Sequence, residues 1–281
     1  MNQVTDQQII EILRKEAVPA LGCTEPVACA LACAKCKEVL GSVPERLDVL
    51  VSGNIYKNGM GVGIPGTGMV GLPIAAALGA VCGKSEYGLE VLKEVNVGDN
   101  LQRAKDMLGQ VTVSLKEDAP DKLYAEALAT KGNDTVKVII AHTHTNIVLV
   151  EKNGEEIFKR EFRLDTSKPE DKGPELSVKR IWDFVHEVDV KDIEFVLQGA
   201  EMNKAISAEG LNSEYGLQIG KTLKENIDKG LLEDDLLNRT LIRATAASDA
   251  RMDGCPKPVM TNSGSGNQGI TVYLPVVVAA E

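Results

Sequence analysis

Aromatic residues are scarce in this 281-residue chain, at 4%, and there is a single tryptophan. A core without large rings has to be built from Ala, Val, Ile and Leu, which calls for close packing of small side chains. Positive charge is also short: 31 Lys and Arg stand against 41 Asp and Glu, a net charge of −10. That balance argues against nucleic acid as a partner. No apolar stretch approaches the ~20 residues that a membrane span needs, so no membrane partner is expected. The opening residues Met1-Asn2-Gln3-Val4-Thr5-Asp6 carry neither a basic region nor an apolar signal core. The expectation is therefore a cytoplasmic protein. Six cysteines in such a chain read as thiols or metal ligands, not as a disulfide framework.

Hydrophobic residues at 43% and charged residues at 26% suit a globular chain able to bury a sizeable core. Residues 6–15 place Ile9, Ile10, Ile12 and Leu13 at helical spacing, with Thr5 or Asp6 as N-cap. Pro26 suits the first turn of a second helix over 26–40, rich in Ala and Cys. Cys23 then stands just ahead of a helix N-terminus, a position that favours thiolate.

Cys29, Cys33 and Cys36 share the spacing of the iron–sulfur motif in radical S-adenosylmethionine enzymes. Here they interrupt an Ala-rich helix with no strand before it. At i, i+4 and i+7 they fall on one face, where small thiols pack as alanine does, and packing is the reading taken. A strand over 47–52 leads to Gly53-Asn54-Ile55-Tyr56-Lys57-Asn58-Gly59-Met60, read as a loop. The glycines from Gly61 to Gly66 formally contain G-x-G-x-x-G, with Glu86 about 20 residues on. Pro65 and the distance from the strand argue against a dinucleotide turn.

An apolar helix is expected over 69–81 and another over 98–108. Strands follow at 111–115, 123–128, 136–142 and 147–151, with a Lys152-Asn153-Gly154-Glu155 turn into a further short strand. His142 and His144 would share one face of such a strand, as a metal pair or as ordinary alternation on a solvated sheet. A charged, proline-bearing linker is expected over 165–174, then helices over 176–185, 193–208, 215–229 and 232–251. The expected fold is α+β: Ala-rich helices around a loop site, an inserted antiparallel sheet and a helical C-terminal half. Parts are expected at 1–95, 96–165 and 175–281.

The stretch from Gly254-Cys255-Pro256-Lys257-Pro258 through Thr261-Asn262-Ser263-Gly264-Ser265-Gly266-Asn267-Gln268-Gly269 reads as a loop. It can aim backbone N–H groups and short polar side chains at a small anion beside a thiol. The Val- and Ala-rich run 271–281 then opens a helix.

Four motifs carry a resemblance. They are Gly22-Cys23-Thr24-Glu25-Pro26, Ser52 to Gly59, Gly63-Ile64-Pro65-Gly66-Thr67 and the Cys255 stretch with its Ser/Gly/Asn run. In this order they resemble the L-cysteine desulfidase family, itself related to the iron–sulfur L-serine dehydratases. The resemblance implies a pyridoxal-phosphate-independent lyase that uses a [4Fe–4S] cluster to degrade L-cysteine to pyruvate, ammonia and sulfide. L-serine dehydration by the same mechanism is the alternative, and a cluster-free partner subunit is another.

Carried over residue by residue, Cys23 and Cys255 match two cluster ligands, while a third has no counterpart in this chain. Tyr56 or Lys57 is the implied base. Thr24, Glu25, Ser52, Asn54, Asn262, Ser263, Ser265 and Asn267 are the implied substrate contacts, Glu25 as partner of the ammonium or simply as a helix N-terminal charge. The partners implied are a small amino-acid substrate and a second copy or a complementing C-terminal fragment.

Overall fold

The computed structural model describes residues 4–160 and 176–281. The expected linker at 165–174 lies outside the described residues. Helix α1, Asp6–Glu16, starts on Thr5, whose side chain accepts from the Gln8 N–H while the Gln8 side chain accepts from the Thr5 N–H. This reciprocal box holds two of the donors that a helix start leaves without partners. Strand β1, Pro19–Ala20, is followed by α2, Thr24–Leu40, which is buried along most of its length. Its run of Ala28, Cys29, Ala30, Ala32, Cys33, Ala34 and Cys36 leaves no solvated face, as the thiol-packing reading requires.

Strand β2, Arg46–Val51, comes next, then α3, Gly53–Gly59, where a loop was expected. Ser52 caps α3 and Ile55 is buried beneath it, which outweighs the poor helix propensity of its terminal glycines. A short hairpin of β3, Gly63–Ile64, and β4, Met69–Val70, occupies the start of the helix expected at 69. Helix α4 is Leu72–Val81 and α5 is Asn100–Met107. Gly79 of α4 lies against the Ala30 carbonyl of α2, so a side chain there would collide with backbone.

Strands β5, Val111–Leu115, β6, Tyr124–Lys131, β7, Asp134–Ala141, β8, Ile147–Lys152, and β9, Glu155–Lys159, complete a six-stranded sheet in the order β5-β2-β6-β7-β8-β9. The sheet was expected to be antiparallel and inserted. It is mixed, because β2 from the N-terminal part enters it, parallel to β5 and antiparallel to β6. The reason is in the pattern: Leu47, Val49 and Val51 alternate like Ala125, Ala127 and Ala129 opposite them, and one shared face is buried. That face, α2, α4 and α5 form the main core.

The C-terminal half holds α6, Val178–Glu187, α7, Val190–Ile193, α8, Leu197–Asn212, α9, Ile219–Asp228, and α10, Leu236–Met252. Strand β10, Val259–Met260, and α11, Gly266–Ala280, follow. Ile206, Ala247, Ala250, Val259, Ile270 and Leu274 build a second core there. Among the described residues the halves meet at several places, one of them the packing of Ile9 and Ile10 of α1 against Phe184 of α6. Strand β1 pairs antiparallel with β10, and Gly66 N donates to Gly254 O at 3.2 Å. Helix α11 leaves Val272 and Val276 exposed beside an apolar groove of about 470 Å³ that Leu13, Ala17 and Leu197 also line. Among the described residues no helix is long and apolar enough to cross a membrane.

Candidate functional site

The seam between the halves gathers the polar side chains that the loops carry. Cys23 is the N-cap residue of α2 and is buried, with extended backbone. Its Sγ donates to Glu25 Oε2 at 2.8 Å, and Thr24 Oγ1 donates to the same oxygen at 3.2 Å. From α3, Asn58 Nδ2 donates to Glu25 Oε1 at 3.2 Å. Burial works against the charge of Glu25. The bonds from Cys23 and from its own backbone, with His144 and Asn58, outweigh it and hold the carboxyl below its ordinary range.

The thiol moves the other way. Burial, then the charge of Glu25, push Cys23 up to about 12, with Arg251 opposing. The helix start was expected to favour thiolate. Desolvation and an adjacent carboxylate outweigh it, because the charged form of a buried thiol loses its hydration.

Two residues outside the expected substrate contacts complete the group: His144, read as half of a metal pair or as sheet alternation, and Arg251. His142 has φ of 70° and ends β7, so His142 and His144 do not share the strand face expected of them. The turn instead places His144 within electrostatic reach of Glu25. Burial lowers the imidazole below its ordinary range, Glu25 opposes this, and Arg251 adds to it. Arg251, in the last turn of α10, is 4% exposed, and its charge acts on Cys23 and Glu25 as well. Its Nη1 donates to Asn267 Oδ1 at 3.0 Å. The guanidinium rests on Gly266, where a Cβ would fall 2.6 Å from Cζ. Among the described residues its buried Nε has no hydrogen-bond partner.

Of the expected substrate contacts, Thr24, Glu25 and Asn267 join this cluster. Ser52 is buried and committed: it donates to Lys122 O at 2.6 Å and caps α3. Asn54 and Lys57 are exposed on α3, and Tyr56 packs against the main core. Asn262 and Ser265 exchange two backbone hydrogen bonds at 3.1 and 3.0 Å around Ser263, whose φ is 50°. Ser265 then caps α11, so the expected loop is already helical at Gly266.

Cys255 lies apart in character. It is 1% exposed within the apolar cluster of the C-terminal half. Tyr215 is its polar neighbour, pushed up to about 12 by burial and then by its hydrogen bond with Cys255. A [4Fe–4S] cluster needs several deprotonated thiols converging on one position. Cys23 Sγ is hydrogen-bonded to Glu25, and Cys255 lies in the apolar cluster beside Tyr215. Among the described residues no three His, Cys, Asp or Glu side chains are grouped to hold a metal. These residues do not by themselves fit the cluster.

Residues 86–281, more than half of the chain, match the family described as serine dehydratase alpha chain. The chain belongs to the serine dehydratase alpha chain family. The narrower desulfidase assignment is not part of that match. Several proteins to which the chain is similar carry the name UPF0597 protein. One from Actinobacillus pleuropneumoniae serotype 3 (strain JL03) is 49% identical over 277 residues, 98% of this chain and 64% of the relative. One from Dichelobacter nodosus (strain VCS1703A) is 49% identical over 280 residues, 99% and 64%. A third, from Parabacteroides distasonis, is 46% identical over 287 residues, 100% and 66%. The serine dehydratase-like chain thus spans 64% of the length of the first two. No solved structure matches it.

Proposed function

We propose that this chain carries the proton-transfer centre of a lyase that removes the β-substituent of a small α-amino acid. L-Serine is the substrate the family favours, and L-cysteine the one the motif resemblance favours. The observation that carries the reading is His144, an imidazole kept neutral by burial beside a charged Glu25. A neutral imidazole at pH 7 is a competent base, and a neighbouring carboxylate stabilises the cation it becomes.

His144 takes the Cα proton. The C–H electron pair forms the Cα–Cβ double bond, and the Cβ–O or Cβ–S pair leaves with the β-group. That group takes a proton back from the imidazolium and departs as water or hydrogen sulfide. The 2-aminoacrylate left behind tautomerises to the imine, which water hydrolyses to pyruvate and ammonia. This reading takes His144 as the base in place of Tyr56 and Lys57, the residues that the motif resemblance implies. The [4Fe–4S] cluster implied by the motif resemblance is no part of this step, and iron content after anaerobic reconstitution tests it separately.

The test is pyruvate formation under anaerobic conditions from L-serine and from L-cysteine, with sulfide measured in the second case. H144N should lower pyruvate formation by roughly 10²–10⁴-fold, the usual worth of a general base. Equal rates in wild type and a folded H144N would remove His144 from the mechanism. Absence of pyruvate from both substrates in the wild-type chain would overturn the lyase reading.

A further inference from the structure

Arg251 is a buried cation with Glu25 within electrostatic reach but no anion in contact. Among the described residues it forms no ion pair, and Glu25 makes its hydrogen bonds with Cys23, Thr24 and Asn58 and none with Arg251. A guanidinium 4% exposed, with an unpartnered Nε, is costly unless something negative completes it. The group also lies on the first turn of a 15-residue helix. In α11 the Ser265 side chain takes the Gln268 N–H, and the Ser265 carbonyl takes the Gly269 N–H. Among the described residues the N–H groups of Gly266 and Asn267 are the ones left over, at the positive end of the helix. Gly266 has no side chain to hold the guanidinium away from that turn.

We propose that Arg251, Asn267 and the first turn of α11 form the receptor for the substrate's α-carboxylate, which rests on the amino-acid reading above. Arg251 supplies a planar fork matched to a carboxylate. Asn267 Oδ1 holds Nη1 at 3.0 Å and fixes the fork's orientation. Glu25, within electrostatic reach of Arg251 and His144, takes the ammonium. The zwitterion then spans Arg251 and Glu25 with its Cα towards His144, the group that removes the proton. The polarity of the substrate in the site is thereby assigned: carboxylate to the C-terminal half, ammonium to the N-terminal half.

The experiment measures binding, not turnover. The full chain is titrated with three non-reacting probes, followed by saturation-transfer NMR. L-Alanine keeps both charges, propionate keeps only the carboxylate, and L-alaninamide keeps only the ammonium. L-Alanine and propionate should bind, and L-alaninamide should bind at least tenfold more weakly than L-alanine.

R251M should weaken L-alanine and propionate at least tenfold, with R251K in between. N267D covers the case in which R251M does not fold. It places an internal carboxylate against Nη1 and should displace both probes, with circular dichroism unchanged. The receptor is overturned if folded N267D binds propionate as wild type does, if L-alaninamide binds as well as L-alanine, or if propionate does not bind wild type at all. Arg251-dependent propionate binding with no gain for L-alanine upholds the receptor and sinks the amino-acid reading instead.

Discussion

Asn203 and Met260 exchange two hydrogen bonds: Met260 N donates to Asn203 Oδ1 at 3.0 Å, and Asn203 Nδ2 donates to Met260 O at 3.3 Å. A side-chain amide on α8 thus serves β10 as a neighbouring strand would. Asn203 is fully buried, so no water replaces it.

N203A leaves two buried backbone groups without partners, at about 1–3 kcal/mol each. The expected loss is roughly 2–4 kcal/mol in urea-unfolding stability. A change below about 0.5 kcal/mol would mean that the pairing contributes nothing net.

G79A tests the α2–α4 contact. The added methyl meets the Ala30 carbonyl, and neither helix can retreat without disturbing the core it covers. Overpacking of this kind costs about 1–3 kcal/mol. Thermal unfolding should show the loss, whereas G109A, with open space around its Cβ, should not.

The pH dependence of stability should report His144. Its folded-state affinity for protons lies below the ordinary imidazole value, so the unfolded chain binds more protons below about pH 6.5. This contribution is complete above about 6.5 and is lost as the pH falls. Glu25 and Arg251 face the ring with opposite effects, and burial decides the sign. The urea midpoint of wild type should fall more steeply between pH 7 and 5.5 than that of H144Q. Parallel curves would show that the ring titrates as if exposed.

The thiols of α2 give a further test. Cys29, Cys33 and Cys36 are 0% exposed, and Cys36 Sγ donates to the Ala127 and Val136 carbonyls at 3.5 and 3.6 Å. Replacing all three with alanine should cost at most about 1–2 kcal/mol per site and leave iron uptake unchanged. Anaerobic reconstitution of wild type should fall short of the about four irons per chain of a [4Fe–4S] centre. A full complement in wild type, lost in the triple variant, would move these thiols from packing to ligation.

Much of the fold was legible because its signals are local. Thr5 before an apolar period, the Ala/Cys run of α2 and the alternation in β6 and β7 each announce an element within a few residues. Helix α3 was not legible, since Ser52 and the burial of Ile55 decide it and the second is tertiary. The site was half legible. Cys23, Thr24, Glu25 and Asn267 sit in motifs, whereas His144 reads as sheet alternation and Arg251 as the basic last turn of a helix. Nothing near Arg251 in sequence says that it is buried. The nearest clue was Gly266, whose missing side chain makes room for it from 15 positions away.

The seam that carries the site joins Val18 to Thr261: Thr261 N and Oγ1 both donate to Val18 O, at 2.9 and 2.8 Å, across 243 residues. The β6-to-β9 meander closes through near neighbours, whereas this contact has to close almost the whole chain. Contacts of such separation form late in folding, because ordering the long intervening loop precedes any gain from it. During vectorial synthesis the sheet and α2 can be complete while Arg251, Gly266 and Asn267 are still inside the ribosome. A nascent chain therefore holds a folded sheet and α2 before the residues of α10 and α11 that complete this seam have emerged.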